Sequence, residues 1–255
     1  MRGASRAPPS ICIANFHGST PMYELAPYVF ACTTGRNCMF LDLRRDQYVS
    51  IPRTRFAELG TEIYGWQLPP DHSHPRIPEM AAPGLAEELL AAGILRVHQT
   101  ELPRPRISPP PAERDSRAYT EFHATFRPHP DHARVLSALV WADYVLRNHT
   151  LFQVVERIAT LRSRRRQIFS TNSAELAEQA VHLFYRARPW YPRNYLCLFD
   201  SLALLRYLCS RQLYANWIFG VREDPFAAHC WLQYDTLILN DYLDRARVYT
   251  PIMVV

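Results

Sequence analysis

Five prolines, at 103, 105, 109, 110 and 111, interrupt the stretch Glu101–Ser116, written ELPRPRISPPPAERDS. Proline fixes φ and removes a backbone donor, so this stretch disfavours helix and favours extended polyproline geometry. It is the best domain boundary in a chain of 255 residues, a length that accommodates two small domains. The expected division is one domain over 1–98, a Pro-rich linker over 99–128 and a second domain over 129–255.

All 29 basic residues are arginine. Without lysine there is no Schiff-base amine, no phosphate-loop lysine and no Ser–Lys dyad. The net charge is +5, with 24 acidic residues spread along the chain. The one tight basic run, Arg162–Arg166 (RSRRR), reads as the solvated end of a helix rather than a phosphate-binding patch. Cysteines at 12, 32, 38, 197, 209 and 230 form no Cys-x-x-Cys pair and no zinc-finger spacing. His72 and His74 in PPDHSHPRIP read as surface-loop residues, so no metal is expected. The first residues lack the apolar core and cleavage site of a secretory signal, and no apolar run is long enough to span a membrane. These features predict a reduced, cytoplasmic protein with free thiols and no membrane association.

The first half reads as strands followed by helices. Tyr28–Thr33, Cys38–Leu43 and Gln47–Ile51 are strand candidates, the last two joined as a hairpin by Arg44–Asp46. Pro52 suits the first turn of a helix through Leu59. A second helix over Gly84–Ala92, with Leu85 and Leu89 on its apolar face, ends at Gly93. In the second half, Asp131, Thr150 and Ser173 are candidate caps of three helices, followed by a fourth over Asn194–Leu208. Trp217–Val221, His229–Tyr234 and Leu237–Leu239 are strand candidates. Helices first and an antiparallel sheet last is an α+β pattern.

The chemistry concentrates in the last sixty residues. In RNYLCLFDSLALLRYLC the apolar residues cover nearly every side, the mark of a buried helix. With Asn194 as its cap, Cys197 occupies the third helical position. There unpaired N–H groups and the positive end of the dipole favour a thiolate and could hold an oxyanion. Cys209 and Cys230 lack that position and read as structural.

A thiolate nucleophile needs a base, and the base an orienting partner. His229, in AAHCWLQYD, shares a strand face with Trp231 and Gln233 while Cys230 points to the other side. The His229 face is expected to pack against the N-terminus of the Cys197 helix. The orienting residue depends on register. A two-residue turn at Asp235–Thr236 puts Asn240, Tyr242 and Asp244 on the His229 face, whereas a three-residue connection puts Asp241 there. Pattern alone leaves Asp241, Asn240 and Asp244 open.

The stretches CLFDSLALLRYL, AAHCWLQYD and LILND resemble the transglutaminase-like, papain-like peptidase domain of lasso-peptide maturation B proteins. The resemblance covers roughly residues 130–255 and implies a Cys–His–Asp triad of Cys197, His229 and Asp241 that removes a leader peptide. It selects Asp241 and so implies a three-residue connection or a bulge. It also implies that Cys230, between His229 and Trp231, replaces a small residue without catalytic consequence. The N-terminal half, with CMFLDLRRDQYVSI and LAEELLAAGIL, resembles the winged-helix-like peptide-recognition element of the same pathway. By that resemblance the leader adds as a strand to Gln47, Tyr48, Val49, Ser50 and Ile51 and lies against a helix carrying Leu85 and Leu89. The implied partners are a precursor peptide and an ATP-dependent cyclase, with no cofactor on this chain and no nucleic acid. Acyl transfer to an amine and non-catalytic winged-helix binding of peptide or DNA are the rival readings.

Overall fold

A strand that is apolar at successive positions must be covered on both faces. The run NCMFLD is such a strand, and a computed structural model of the protein, describing residues 23–61, 63–64, 84–98, 109–116, 129–163 and 173–255, covers it in that way. After a short strand β1 (Tyr23–Leu25), β2 (Val29–Thr33), β3 (Asn37–Asp42) and β4 (Gln47–Pro52) form an antiparallel meander with β3 central. The β3–β4 hairpin is set by Asp42, whose carboxylate accepts the N–H groups of Arg44 at 2.9 Å and Arg45 at 3.2 Å. It closes through Asp46 in the left-handed region, φ 52°.

On one face of the meander, Cys38, Phe40 and Ile51 meet α1 (Arg53–Thr61) and α2 (Leu85–Ala91) through Phe56, Leu59, Leu85 and Leu89. α2 ends as expected at Gly93, φ 71°, with Gly93 N–H donating to Leu90 O and Ile94 N–H to Leu89 O, both at 2.9 Å. The chain then forms β5 (Leu95–Val97), which pairs with β1; neither strand was expected from the sequence. On the other face, Met39, Leu41 and Leu43 enter the main core with the residues of the second half. Asn37 and the Arg36 N–H also bind the Glu223 carboxylate. β3 therefore stands between two cores, the N-terminal one and the main one, and contributes to both.

The Pro-rich segment expected as a linker supplies a strand, β6 (Arg114–Asp115), which corrects that reading in part. Prolines 109–111 preset the extended backbone, and the donors after them are free to pair: Glu113 N–H bonds Thr236 O at 2.9 Å and Ser116 N–H bonds Ile238 O at 2.8 Å.

The second half follows the expected order. The helices are α3 (Asp131–Asn148), α4 (Leu151–Ser163), α5 (Ser173–Ala187) and α6 (Cys197–Ser210). β7 (Asn216–Arg222), β8 (Ala227–Tyr234), β9 (Leu237–Ile238), α7 (Leu243–Arg247) and β10 (Thr250–Val254) complete the chain. The sheet order is β10-β7-β8-β9-β6, antiparallel except for β6 beside β9. The whole is α+β. Thr150 caps α4 in a reciprocal box: its Oγ1 accepts Gln153 N–H at 3.3 Å, and Gln153 Oε1 accepts Thr150 N–H at 3.0 Å. Asp131 does not cap α3. It lies in the first turn, and its carboxylate binds Arg134, Arg211 and the Tyr207 hydroxyl. Among the described residues no helix is long and apolar enough to cross a membrane. His72, His74 and Arg164–Arg166 lie outside the described residues.

Candidate active site

α6 is the central helix of the core, with Leu202, Leu204 and Leu208 fully buried. It starts later than expected. Leu196, in an extended conformation, is the cap, Asn194 lies before it, and Cys197 is the first helical residue rather than the third. The Asp200 carboxylate reaches back to accept the Leu196 N–H at 2.7 Å. The N–H groups of Cys197, Leu198 and Phe199 have no intrahelical acceptor and surround the thiol with positive potential. Cys197 is exposed in an open cleft also lined by His229, Cys230, Asn240, Asp241 and Arg245.

The His229 face of β8 is expected against the N-terminus of α6, and only the tip of the helix meets it there. The body of α6 packs on the Cys230 and Leu232 face, where Ser201 Oγ lies 3.4 Å from Cys230 Sγ and accepts the Trp217 indole N–H at 2.8 Å. His229 is on the opposite face, stacked with Trp231 at 6.0 Å and against Tyr249 at 5.1 Å between ring centroids. Cys197, at the tip of the helix, interacts with both neighbours, Cys230 and His229. The close packing around the imidazole depends on Gly220, which pairs with His229 across the strands. A Cβ there would lie 2.9 Å from the Trp231 ring and 2.9 Å from Tyr249 Cβ.

Of the three candidates for the orienting role, the one that meets the imidazole is Asp241, 2% exposed, whose Oδ2 bonds His229 Nε2. That leaves Nδ1 for the thiol. Of the two alternatives the resemblance allows, a three-residue connection or a bulge, the first is absent. Tyr234 pairs with Leu237 and Gln233 with Ile238, so the connection is the two-residue turn Asp235–Thr236, with Asp235 at φ 53°. A straight ladder in this register would place Asp241 opposite Cys230, on the wrong face. The chain leaves the ladder instead. Leu239 N–H still bonds Leu232 O at 2.9 Å, but the return bond from Leu232 N–H goes to the side-chain Oδ1 of Asn240 at 2.6 Å. The Asn240 amide replaces a backbone carbonyl, the main chain bends over residues 239–241, and Asp241 crosses to His229. Asn240, one rival for the orienting role, is thus what brings Asp241 into reach; Asp244 is exposed in α7.

These contacts favour an ion pair. The Cys197 thiol is lowered to about 4: donation from Cys230 contributes most, burial opposes it, and the bond and charge of His229 add to it. Burial works against the charged imidazole, but Asp241 and then Cys197 outweigh it and raise His229 to about 9. Burial raises Cys32 to about 12 and Cys38 to about 11, and it pushes Cys230 up as well. Cys230 is therefore a direct contact of Cys197 and not merely a structural thiol, a pairing for which the sequence offers no signal.

Of the residues expected to bind a leader, Gln47–Ile51 lie on β4, the outer strand of the meander. Ile51, Leu85 and Leu89 are buried in the N-terminal core and do not line a groove. Tyr48 packs edge-on against Phe226 at 5.5 Å. Its phenol is raised to about 12 by burial, then by Asp46 and by the charges of Cys230 and Cys197. β4 therefore runs close to the cleft.

Residues 139–254 match the family described as the transglutaminase-like superfamily. The C-terminal half carries a transglutaminase-like domain. The matched span contains Cys197, His229 and Asp241, and members of this superfamily are typically cysteine-dependent enzymes. No curated protein and no solved structure gives a significant match. Among the described residues no group of His, Cys, Asp and Glu side chains could hold a metal ion.

Proposed function

We propose that the protein is a cysteine peptidase that removes the leader from a lasso-peptide precursor. The observation that carries this reading is the thiol at the tip of α6, exposed in a cleft and joined to a buried His229–Asp241 pair. The Cys197 thiolate attacks the scissile carbonyl, and the first-turn N–H groups receive the developing oxyanion. The His229 imidazolium gives its proton to the leaving amine of the core peptide. Water, deprotonated by His229, then splits the thioester, and the leader departs as a carboxylate. Asp241 fixes the ring tautomer and stabilises its charged form throughout. No cofactor enters this scheme.

The leader pairs with the outer edge of β4 in the same proposal, and Leu85 and Leu89 support the module from its core. Proximity of Tyr48 to the thiols favours this: a peptide held on β4 has its next residues near the cleft, at raised effective concentration. The freed core amine is then the nucleophile for a partner cyclase, which performs the ATP-dependent step. The match to the transglutaminase-like superfamily favours one second reading, transfer of the acyl group to an amine instead of water.

The test is Cys197→Ala with a leader-containing precursor of the lasso-peptide class. Binding is expected to persist and cleavage to vanish; cleavage at the wild-type rate would remove Cys197 from the mechanism.

A further inference from the structure

We propose that the buried Arg188–Asp200 pair positions the nucleophile: it holds the segment leading into α6 and neutralises a carboxylate beside Cys197. The inference rests on Cys197 being the nucleophile.

Arg188 is fully buried, in a 3-10 turn that ends α5. Its Nε donates to Asp200 Oδ1. Its Nη1 donates to Tyr191 O at 3.1 Å, and its Nη2 to Arg193 O at 2.9 Å and Asn194 O at 3.1 Å. The rings of Tyr195 and Phe199 lie 4.4 and 5.1 Å from the guanidinium carbon. Residues 191–196 have no regular secondary structure. One guanidinium satisfies three of their carbonyls, and Asp200 Oδ2 satisfies the Leu196 N–H. The conformation that delivers Cys197 to the helix tip is thus held chiefly by this buried pair, with the Arg193–Asp143 ion pair as a second tie. A planar five-donor fork suits this task, and a lysine ammonium does not.

The pair also has an electrostatic consequence. Asp200 lies near Cys197 and lines the same cleft, so an unpaired carboxylate there disfavours the thiolate. Arg188 cancels that charge. The other groups facing Cys197 are His229 and Cys230 from β8, Asp241 and Arg245 beyond β9, Tyr48 from β4, and Tyr185 and Tyr195. Of these only Tyr195 belongs to the segment that the pair holds.

Iodoacetamide alkylation reads the thiolate without any substrate, with Cys197 followed by peptide mass mapping across pH. In wild type the Cys197 midpoint is expected near 4. Arg188→Met is expected to raise it by about a unit, with about fivefold slower alkylation at the wild-type midpoint. Adding Asp200→Asn to Arg188→Met brings the midpoint back although the melting temperature stays low. Arg188→Lys, which keeps the charge without the fork, holds the midpoint and loses thermal stability. If Arg188→Met does not fold, Asp200→Asn alone decides: its midpoint is expected to fall by half a unit or more, and an unchanged or higher one overturns the proposal. A midpoint unmoved in Arg188→Met, or raised equally in the double variant, also overturns it, leaving a purely structural pair. Failure of the nucleophile assignment looks different: wild-type Cys197 would then titrate like a free cysteine, at about 8.5.

Discussion

Asp241→Asn keeps the shape of the side chain and removes its charge. His229 is 8% exposed, and its raised value of about 9 against an ordinary 6.5 depends first on Asp241, with burial acting the other way. Cys197 supplies the rest of the rise. Removing the carboxylate is expected to lower the His229 midpoint by about 1–2 units, or about 1.4–2.7 kcal/mol of preference for the imidazolium. The thiolate loses the same cation, so the Cys197 midpoint rises from about 4. The pH window of the ion pair therefore narrows from both ends. Stability follows with a definite sign. A histidine raised on folding contributes stability that is complete below its unfolded value and lost as pH rises through the folded one. Wild type is expected to exceed Asp241→Asn most below about pH 6.5, with the gap closing as pH rises through about 9. NMR titration of labelled histidine, assigned with His229→Gln, measures the midpoint, and thermal melts at a series of pH values measure the linkage. A His229 midpoint that stays near 9 in Asp241→Asn would refute the assignment of Asp241 as its partner.

Three further outcomes follow from the same geometry. Gly220→Ala puts a methyl 2.9 Å from the Trp231 ring and from Tyr249 Cβ, both of which pack on His229. Overpacking of this kind costs about 1–3 kcal/mol, so a lower melting temperature and a lower kcat/KM are expected together, and an unchanged kcat/KM would show that the imidazole tolerates the shift. Asn240→Ala strips the Leu232 N–H of its acceptor; leaving a buried donor unsatisfied costs about 1–3 kcal/mol, and because Asp241 then loses its bend, the His229 midpoint is expected to fall too. Asp244→Ala, at an exposed position of α7, is expected to leave the His229 midpoint and thermal stability unchanged in the same assays.

Much of this architecture is legible in the sequence where the signal is local. The three strands of the meander, the Schellman ending at Gly93, the Thr150 cap and the all-round apolar α6 arise from neighbouring residues, and the structure places them within a few positions of the pattern. What pattern cannot supply is pairing between distant segments. β1 and β5 are three residues each and acquire strand character by meeting one another, with β1 also bridging Ile63. β6 hides behind prolines and pairs with a strand more than a hundred residues later. The burial of β3 on both faces was half visible, since CMFLDL lacks the polar alternation of a strand with one wet face.

The site shows the same division. Cys197 and His229 are readable from a helix start and a strand pattern. Asp241 is not, because its placement reverses the alternation rule through one side-chain-to-backbone bond, Asn240 to Leu232. The family resemblance points to Asp241, which does bond His229, and it allows a three-residue connection or a bulge; the connection has two residues and the chain leaves the ladder just beyond it. Arg188 had no sequence signal at all: one arginine among 29 in the chain becomes central only because the structure buries it beside Asp200.

The proposed function stands or falls with covalent catalysis by Cys197 on a leader-bearing peptide. The most direct measurement is intact-protein mass spectrometry of the enzyme, acid-quenched during turnover of such a precursor, with the adduct mapped to its residue. The expected species is an acyl-enzyme heavier by the leader mass less one water, attached at Cys197, with final fragments that together weigh the precursor plus one water. Cleavage without any adduct on Cys197, and undiminished in Cys197→Ala, would contradict it.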